Sequence, residues 1–242
     1  MATIERKVKG SVSGIPDLSL ADRERMFFLL TEYFDGYEYK RFLSDLEEKD
    51  GAVILRSIDE VIQGFTTFQF LSGIVDGQPT RAVFSGDTII YRDFQNQIVL
   101  PKVWGSFMLN MAVSEKTPMY WFLICSGYKT YRFLSTFFLD YYPRQNAETP
   151  TFEMHTLNNF ATQKFGNLYN PQTGLIRFAD SQERLKPEVA PITDQRLHNP
   201  DIRFFLSQNP DHARGVELAC IAEISPRNYS PFIKRVIGYR EK

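Results

Sequence analysis

From Met26 to Phe34 the chain reads MFFLLTEYF, in which Met26, Phe27, Leu29, Leu30, Tyr33 and Phe34 cover one broad side of a helix. Ser19, with Asp22 three residues on, marks its start, and Gly36 marks its end. YEYKRFLSDLEEKDG repeats the pattern with Phe42, Leu43 and Leu46, and stops at Gly51. The period then shortens. AVILRS is a continuous apolar run, and VIQGFTTFQFLSG and RAVFSGDTIIYRDF are rich in β-branched and aromatic residues, so three strands are expected. Asp76-Gly77 between the last two predicts an antiparallel hairpin. Pro101 suits the first turn of VWGSFMLNMAVSEK, which places a helix at about 101–115. MYWFLICS reads as a buried strand and YKTYRFLSTFFLDYY as a helix stopped by Pro143. Strand, helix, strand, helix at this spacing implies a parallel crossover, and so a mixed sheet.

Beyond Pro143 the hydrophobic density drops, and Asn, Gln and Pro rise. FGNLYNPQTGLIRF and RLKPEVAPITDQ read as loops with brief elements, and NPDIRFFLSQNP as a short helix capped by Asn199. GVELACIAEIS, at about 216–224, is the clearest late strand, expected to return to the sheet beside MYWFLICS. The reading is therefore a core over 1–143 and a helical and loop extension over 144–242. No internal repeat or low-complexity tract is present.

Charge removes some functions. Lys plus Arg number 28 and Asp plus Glu 29, a formal charge of −1, so no global field draws the protein to nucleic acid or to an anionic membrane. The opening MATIERKVKGSV has basic residues but no apolar segment after them, and no run approaches the ~18 residues of a membrane span. Cys125 and Cys220 each sit in an apolar run, as reduced buried thiols do, and a cytoplasmic setting is expected. With 21 Phe and 12 Tyr, the aromatic excess suits a thick core or a groove for an apolar substrate; composition does not separate the two.

The order of elements from Arg81 to Tyr142, preceded by two amphipathic helices and a hairpin, resembles the acyl-CoA-dependent N-acyltransferases of the GNAT superfamily. The resemblance implies a mixed α/β fold, with a mostly antiparallel central sheet flanked by helices. It also implies a thioester donor held in the cleft between two splayed parallel strands, whose backbone groups pair with the pantetheine arm as an added strand would. On that basis Ile89, Ile90, Arg92, Gln97, Lys102 and Ser126 are the expected donor-binding residues. In the family, a glycine-rich loop after the central strand exposes backbone N–H groups and a helix N-terminus to the pyrophosphate. Here the corresponding stretch is Gln95, Asn96, Gln97, Ile98, Val99 and Leu100, without the glycines. Three readings stand open: CoA held through Arg92, Lys102 and the helix N-terminus, an acyl-carrier protein's phosphopantetheine arm, or no acyl donor.

Where the family has a tyrosine that protonates the departing thiolate, this chain has Phe133, which has no proton to give; Tyr128 and Tyr131 lie nearby. Asp87, beside Gly86 in FSGDTII, is the candidate general base if the glycine marks a bulge; otherwise Ser85, Gly86 and Asp87 form a turn. His155, His198 and His212 are far apart and form no zinc pattern, so no metal is expected. Gly-x-Ser-x-Gly and a P-loop are absent. The function expected is transfer of an acyl group from acyl-CoA or an acyl-carrier protein to an amine or hydroxyl of a small metabolite, with a homodimer as a candidate assembly. The alternative is a non-catalytic binding or assembly module, in which side chains such as Phe68, Phe84 and Phe133 fill the cleft.

Overall fold

Residues of alternate parity along the central strands face different helical layers, and this alternation organises the chain. The computed structural model describes residues 7–95, 97–115, 117–178 and 183–240; of the positions discussed above, Asn96 lies outside them. The first half comprises β1 (Val8–Gly14), α1 (Leu20–Thr31), β2 (Phe34–Asp35), α2 (Tyr39–Glu47), β3 (Gly51–Ser57), β4 (Ile62–Val75) and β5 (Gln78–Ile90). Then follow α3 (Val99–Ser114), β6 (Met119–Cys125), α4 (Tyr128–Phe137), α5 (Thr151–Phe165), β7 (Tyr169–Asn170) and β8 (Leu175–Ile176). The chain closes with β9 (Arg184–Leu185), α6 (Asp194–Leu197), α7 (Pro200–Gln208), β10 (Glu217–Glu223) and α8 (Pro231–Ile237).

Eight strands form one sheet in the order β1-β3-β4-β5-β6-β10-β8-β7, and β2 pairs with β9 in a separate two-stranded piece. Only β5 and β6 run parallel, from Arg81 opposite Met119 to Ser85 opposite Leu123. This is the mixed, mostly antiparallel layout that the GNAT resemblance implies. The β4–β5 hairpin turns at Asp76 and Gly77, both at positive φ, as a type I′ turn requires.

On β6, Met119, Trp121, Leu123 and Cys125 face a core shared with Trp104, Met108 and Leu109 of α3, while Tyr120 and Phe122 face Leu157, Phe160 and Ala161 of α5. On β3, Val53 and Leu55 face the α3 side, and Ala52 and Ile54 meet Met26, Leu29, Leu30, Phe42 and Leu46 of α1 and α2. Each large apolar side chain so buried contributes about 1.5–3 kcal/mol. Helices α3, α4, α7 and α8 thus cover one face. On the other, α1 and α2 take one end and α5 the other, leaving a gap above the C-terminal half of β5.

The helix signals read from sequence are present. Ser19 and Asp22 form a reciprocal capping box, and the Asn199 side chain accepts from the N–H groups of Asp201 and Ile202. Five features differ. Helix α1 ends at Thr31 rather than at Gly36, and Phe34 leaves the helix to pair with Leu185 in β2. The opening segment pairs as β1 along β3. Helix α4 ends at Phe137 rather than at Pro143, because Phe138 bridges to Tyr229 and Asn228 bonds the backbone of Asp140. The stretch after Pro150, given no element of its own within the helical and loop extension, holds the 15-residue α5, whose narrow buried stripe of Thr156, Leu157, Phe160 and Ala161 gives a weak periodic signal. A closing helix, α8, packs on α3 through Gly105, where Ile233 and Ile237 come closest. Strand β10 pairs antiparallel with β6, as expected for GVELACIAEIS.

A β-bulge lies on β5. Thr66 opposes Thr88 and Phe68 opposes Ser85, so the single residue Thr67 faces both Gly86 and Asp87. These residues are strand, not turn. A Cβ on Gly86 would run into Thr67 Oγ1 and come within 3.0 Å of Lys49 Cε. Gly86→Ala is therefore expected to lower stability by about 1–3 kcal/mol, measured by urea unfolding; an unchanged midpoint would show that the bulge relaxes without cost.

Candidate functional site

The pairing of β5 with β6 stops at Ser85 and Leu123. Beyond it the two strands part, and cavities open on both faces of the sheet. At the base of the parting, Trp121 Nε1 donates to Ser85 Oγ at 2.6 Å, and Trp104 packs on Trp121 with ring centres 4.6 Å apart. The bulge at Gly86 shifts the following residues by one position, and this places Asp87 toward the α2 and α5 side.

The smaller cavity, about 190 Å³, lies on that side. Its walls include the aromatic rings of Phe34, Tyr37, Phe42, Phe84, Phe165 and Phe178, and the carboxyl groups of Asp45, Asp87, Glu183 and Glu217. Most of its cations are committed. Lys49 Nζ, itself buried, meets Asp45 Oδ1 at 2.6 Å, Arg41 Nε meets Glu183 Oε1 at 3.1 Å, and Lys164 Nζ meets Glu48 Oε2 at 2.9 Å. Both lysine ammonium groups also lie over the Phe84 ring, at 5.9 and 5.5 Å.

Asp87 and Glu217 have no such partner. Burial, reinforced by the charge of Asp45 and opposed by Lys49, pushes the Asp87 carboxyl up to about 7. Burial likewise pushes Glu217 up to about 7, although the Ser126 hydroxyl donates to its Oε1. Glu217 Oε2 is buried with no hydrogen-bond partner. The Tyr37 hydroxyl is held well above its ordinary range by burial and then by Asp87, Glu217 and Glu183, so it stays protonated. The arrangement supplies a base poised near neutral pH and a phenol that keeps its proton.

The larger cavity, about 520 Å³, lies on the α3 and α4 side. Ile89, Ile90, Gln97, Leu100, Trp104, Trp121, Tyr128 and Phe133 are among its walls, with Lys129 and Arg132 as the basic ones. Thr88, Thr130 and Phe34 line both cavities, so the two spaces meet at the parting of the strands. The short β2–β9 pair, Phe34 opposite Leu185 and Asp35 opposite Arg184, contributes wall to both.

Of the donor-binding residues expected from sequence, Ile89, Ile90 and Gln97 line the larger cavity, and Ser126 lines the smaller one through its bond to Glu217. Arg92 is exposed, stands 3.7 Å from Glu32 and lines neither space; Lys102 is also exposed and outside both. Tyr128 lines the larger cavity. Tyr131 does not: it is fully buried, its hydroxyl donates to Pro143 O at 2.8 Å, and Phe204 and Phe205 pack on its ring. That makes it a core residue.

Phe133 stacks on Phe137 at the wall of the larger cavity, Phe84 packs on Phe122 and Phe165 at the wall of the smaller one, and Phe68 packs on Phe70 and Phe107 and lines neither. The histidines stay apart: His155 bonds Asp76, while His198 and His212 lie against the carbonyls of Gln195 and Asn209. Sequence reasoning missed Tyr37, which falls between two helices in no pattern, and Glu217, whose signal was a carboxylate opening an otherwise apolar strand.

No protein-family model matches the chain, and no curated protein matches it in sequence. Parts of solved structures are similar. One from Enterococcus faecalis V583, described as a conserved protein of unknown function and probable N-acyltransferase, shares 16% identity at a TM-score of 0.40, over 55% of this chain and 33% of that one. A GNAT family N-acetyltransferase from Escherichia coli, in complex with CoA, shares 11% at 0.38, over 55% and 71%. Glucosamine-6-phosphate N-acetyltransferase from Arabidopsis thaliana shares 12% at 0.39, over 60% and 98%. The chain spans about a third of the first of these. Overlaps of this extent are shared layout in part of the chain and carry no argument about activity.

The two raised carboxyl groups fix the sign of a pH effect. Unfolded, Asp and Glu titrate near ~4; folded, Asp87 and Glu217 titrate at about 7, so between these values the native state binds more protons. The stability they contribute is present below about pH 4 and lost as pH rises through about 7. Asp45 with Lys49, Glu183 with Arg41, and Tyr37 face the same space. Asp87→Asn is expected to raise the melting temperature above pH 7.5, with the gain vanishing toward pH 4. A wild type more stable than the variant at pH 8 would contradict the assignment.

Proposed function

We propose that the protein transfers an acyl group from a pantetheine thioester to an amine or hydroxyl of a small metabolite. The observation that carries this reading is the parting of β5 and β6, with a cavity on each face that meets the other at Thr88 and Thr130, and Asp87 on the smaller side. The donor's pantetheine arm would lie in the larger cavity along Ile89 and Ile90, pairing with backbone groups as an added strand does. Acyl-CoA and an acyl-carrier protein both supply that arm. Gln97 and the N–H groups opening α3 would face the donor, with Lys129 and Arg132 as the basic wall.

The acceptor would occupy the smaller cavity. Its nucleophilic nitrogen or oxygen attacks the thioester carbonyl carbon as the Asp87 carboxylate takes its proton. The tetrahedral intermediate collapses, the carbon–sulfur bond breaks, and the thiolate receives a proton from the Tyr128 hydroxyl, which solvent replenishes. Amine or alcohol plus thioester become amide or ester plus thiol. A base that titrates at about 7 is half ionised at neutral pH, where proton transfer works best. A non-catalytic module has less support, since Phe133 and Phe68 leave the parting open.

In a transfer assay with acyl-CoA or acyl-carrier protein as donor, Asp87→Asn is expected to lower kcat/KM by ~10²-fold or more while native mass spectrometry still detects bound donor. The wild-type rate should rise with pH through about 7, with the groups of the smaller cavity, Asp45, Lys49, Glu183, Arg41, Glu217 and Tyr37, setting the midpoint. Tyr128→Phe should cut kcat, and Tyr131→Phe should leave it unchanged. Equal losses for the two tyrosines would remove Tyr128 from the proton transfer.

A further inference from the structure

The smaller cavity is electrically one-sided. Three of its cations are held by carboxylates: Arg41 by Glu183, Lys49 by Asp45 and Lys164 by Glu48. Arg184, the fourth, is exposed to solvent. On the opposite side of the balance, Asp87 and Glu217 have no cation, and Glu217 Oε2 is buried with no hydrogen-bond partner at all. An orphaned carboxylate oxygen in an enclosed space is destabilising, more so when ionised. A ligand that donates an N–H there removes the cost.

The walls supply the other half of the recognition. Phe34, Tyr37, Phe42, Phe84, Phe165 and Phe178 give a mostly aromatic lining, which attracts both an apolar body and a positive charge over a ring face. At about 190 Å³ the space is below the ~300 Å³ at which drug-sized pockets begin.

We propose that the acceptor is a compact amine that enters as an ammonium ion, carries no anionic group, and is gripped by Glu217 among the aromatic rings, with Ser126 fixing the Glu217 carboxyl. This rests on the transfer reading above and narrows it from any amine or hydroxyl to one class. A phosphate or carboxylate on the acceptor would meet Asp87 and Glu217 with no available buried cation to offset the repulsion. An alcohol would leave the two carboxyl groups without a counter-charge. Glu217 acts as a positioning residue, and Asp87 remains the proton acceptor: its carboxylate takes one proton from the bound ammonium to free the nitrogen lone pair, passes it to solvent, and takes the second N–H proton as the tetrahedral intermediate forms. Because both carboxyl groups take up protons readily in the empty cavity, entry of an ammonium ion drives protons off them, and Asp45, Glu183 and Tyr37 face the same space.

The test is isothermal titration of the full chain without donor at pH 6.5, using benzylamine and 1,4-diaminobutane against benzyl alcohol, phenylalanine and glucosamine 6-phosphate. The expected result is that at least one amine binds tenfold or more tighter than every other probe, with a heat that varies with the buffer's ionisation heat because protons are released. Glu217→Gln, of the same shape, should weaken that amine at least tenfold while native mass spectrometry with acetyl-CoA and acyl-carrier protein gives the same donor occupancy as wild type. An alcohol or an anionic amine binding as well as the amines overturns the proposal, as does an amine affinity unchanged in Glu217→Gln. Should that variant fail to fold, the wild-type comparison of benzylamine with benzyl alcohol decides alone. Donor binding without amine preference sinks this inference and leaves the transfer reading. Amine preference without any donor binding sinks the transfer reading and leaves the amine site.

Discussion

Two adjacent parallel strands that pair for five residues and then part are the constraint on which the rest of this molecule depends. Below the parting, β5 and β6 are held by a continuous ladder, by the Trp121 to Ser85 bond, and by Phe84 against Phe122 with ring centres 5.3 Å apart. Above it, β5 stays paired with β4 and β6 with β10, but the edges that faced each other lose their partners, and hydrogen bonding on that side must come from elsewhere. Nearby groups meet part of that need: the Ile90 carbonyl accepts from the Tyr33 hydroxyl at 2.8 Å and from Gln95. What remains is an unpaired stretch of strand facing an apolar space, a shape that suits an extended ligand.

The electrostatics follow from the same parting. Because the sheet opens there, β5 and β10 can each bring a carboxyl group to a space roofed by α2 and the segment around β9. Desolvation is the largest cause of the shift on both groups, and neighbouring charges are secondary. The lysines and Arg41 that surround the space do not neutralise the pair, because each is already engaged, and Arg184 is exposed to solvent. Local pairing thus leaves a net deficit of positive charge in one small volume of a protein that is nearly neutral overall.

The central fold was legible because its signals were local. Runs of β-branched and aromatic residues marked β4 and β5, a continuous apolar run marked β6, the capping box set the start of α1, and Asp76-Gly77 placed the hairpin turn. Gly86 beside Asp87 left a bulge and a turn both open in the sequence, and only the register against Thr67 decides for the bulge. Features set by distant contacts were not legible. Helix α5 carries a thin apolar stripe that makes sense only once β4 is beneath it, where Gly73 lets Asn159 approach. The end of α4 is set by Tyr229 and Asn228, some ninety residues downstream. The site divided in the same way. Asp87 stood out within its own strand, while Glu217 and Tyr37 acquire meaning only when separate parts of the chain converge. Tyr131 was misread because an aromatic helix displays several tyrosines, and only packing decides which of them faces a cavity.

The order of assembly gives the β10 position another significance. Asp87 belongs to a hairpin completed early in the chain, whereas Glu217 enters on a strand that must insert between β6 and β8 after more than a hundred further residues have been placed. Strand β9, which pairs with β2 across some 150 residues of sequence, closes the same space. During synthesis, then, Asp87 is in place along the chain well before the strands that close the chamber around it. A carboxyl group not so enclosed titrates as an ordinary aspartate. The chemical character of Asp87 is in this sense conferred in part by the C-terminal third of the protein, and a chain halted before β10 would hold the residue without the enclosure that raises its pKa.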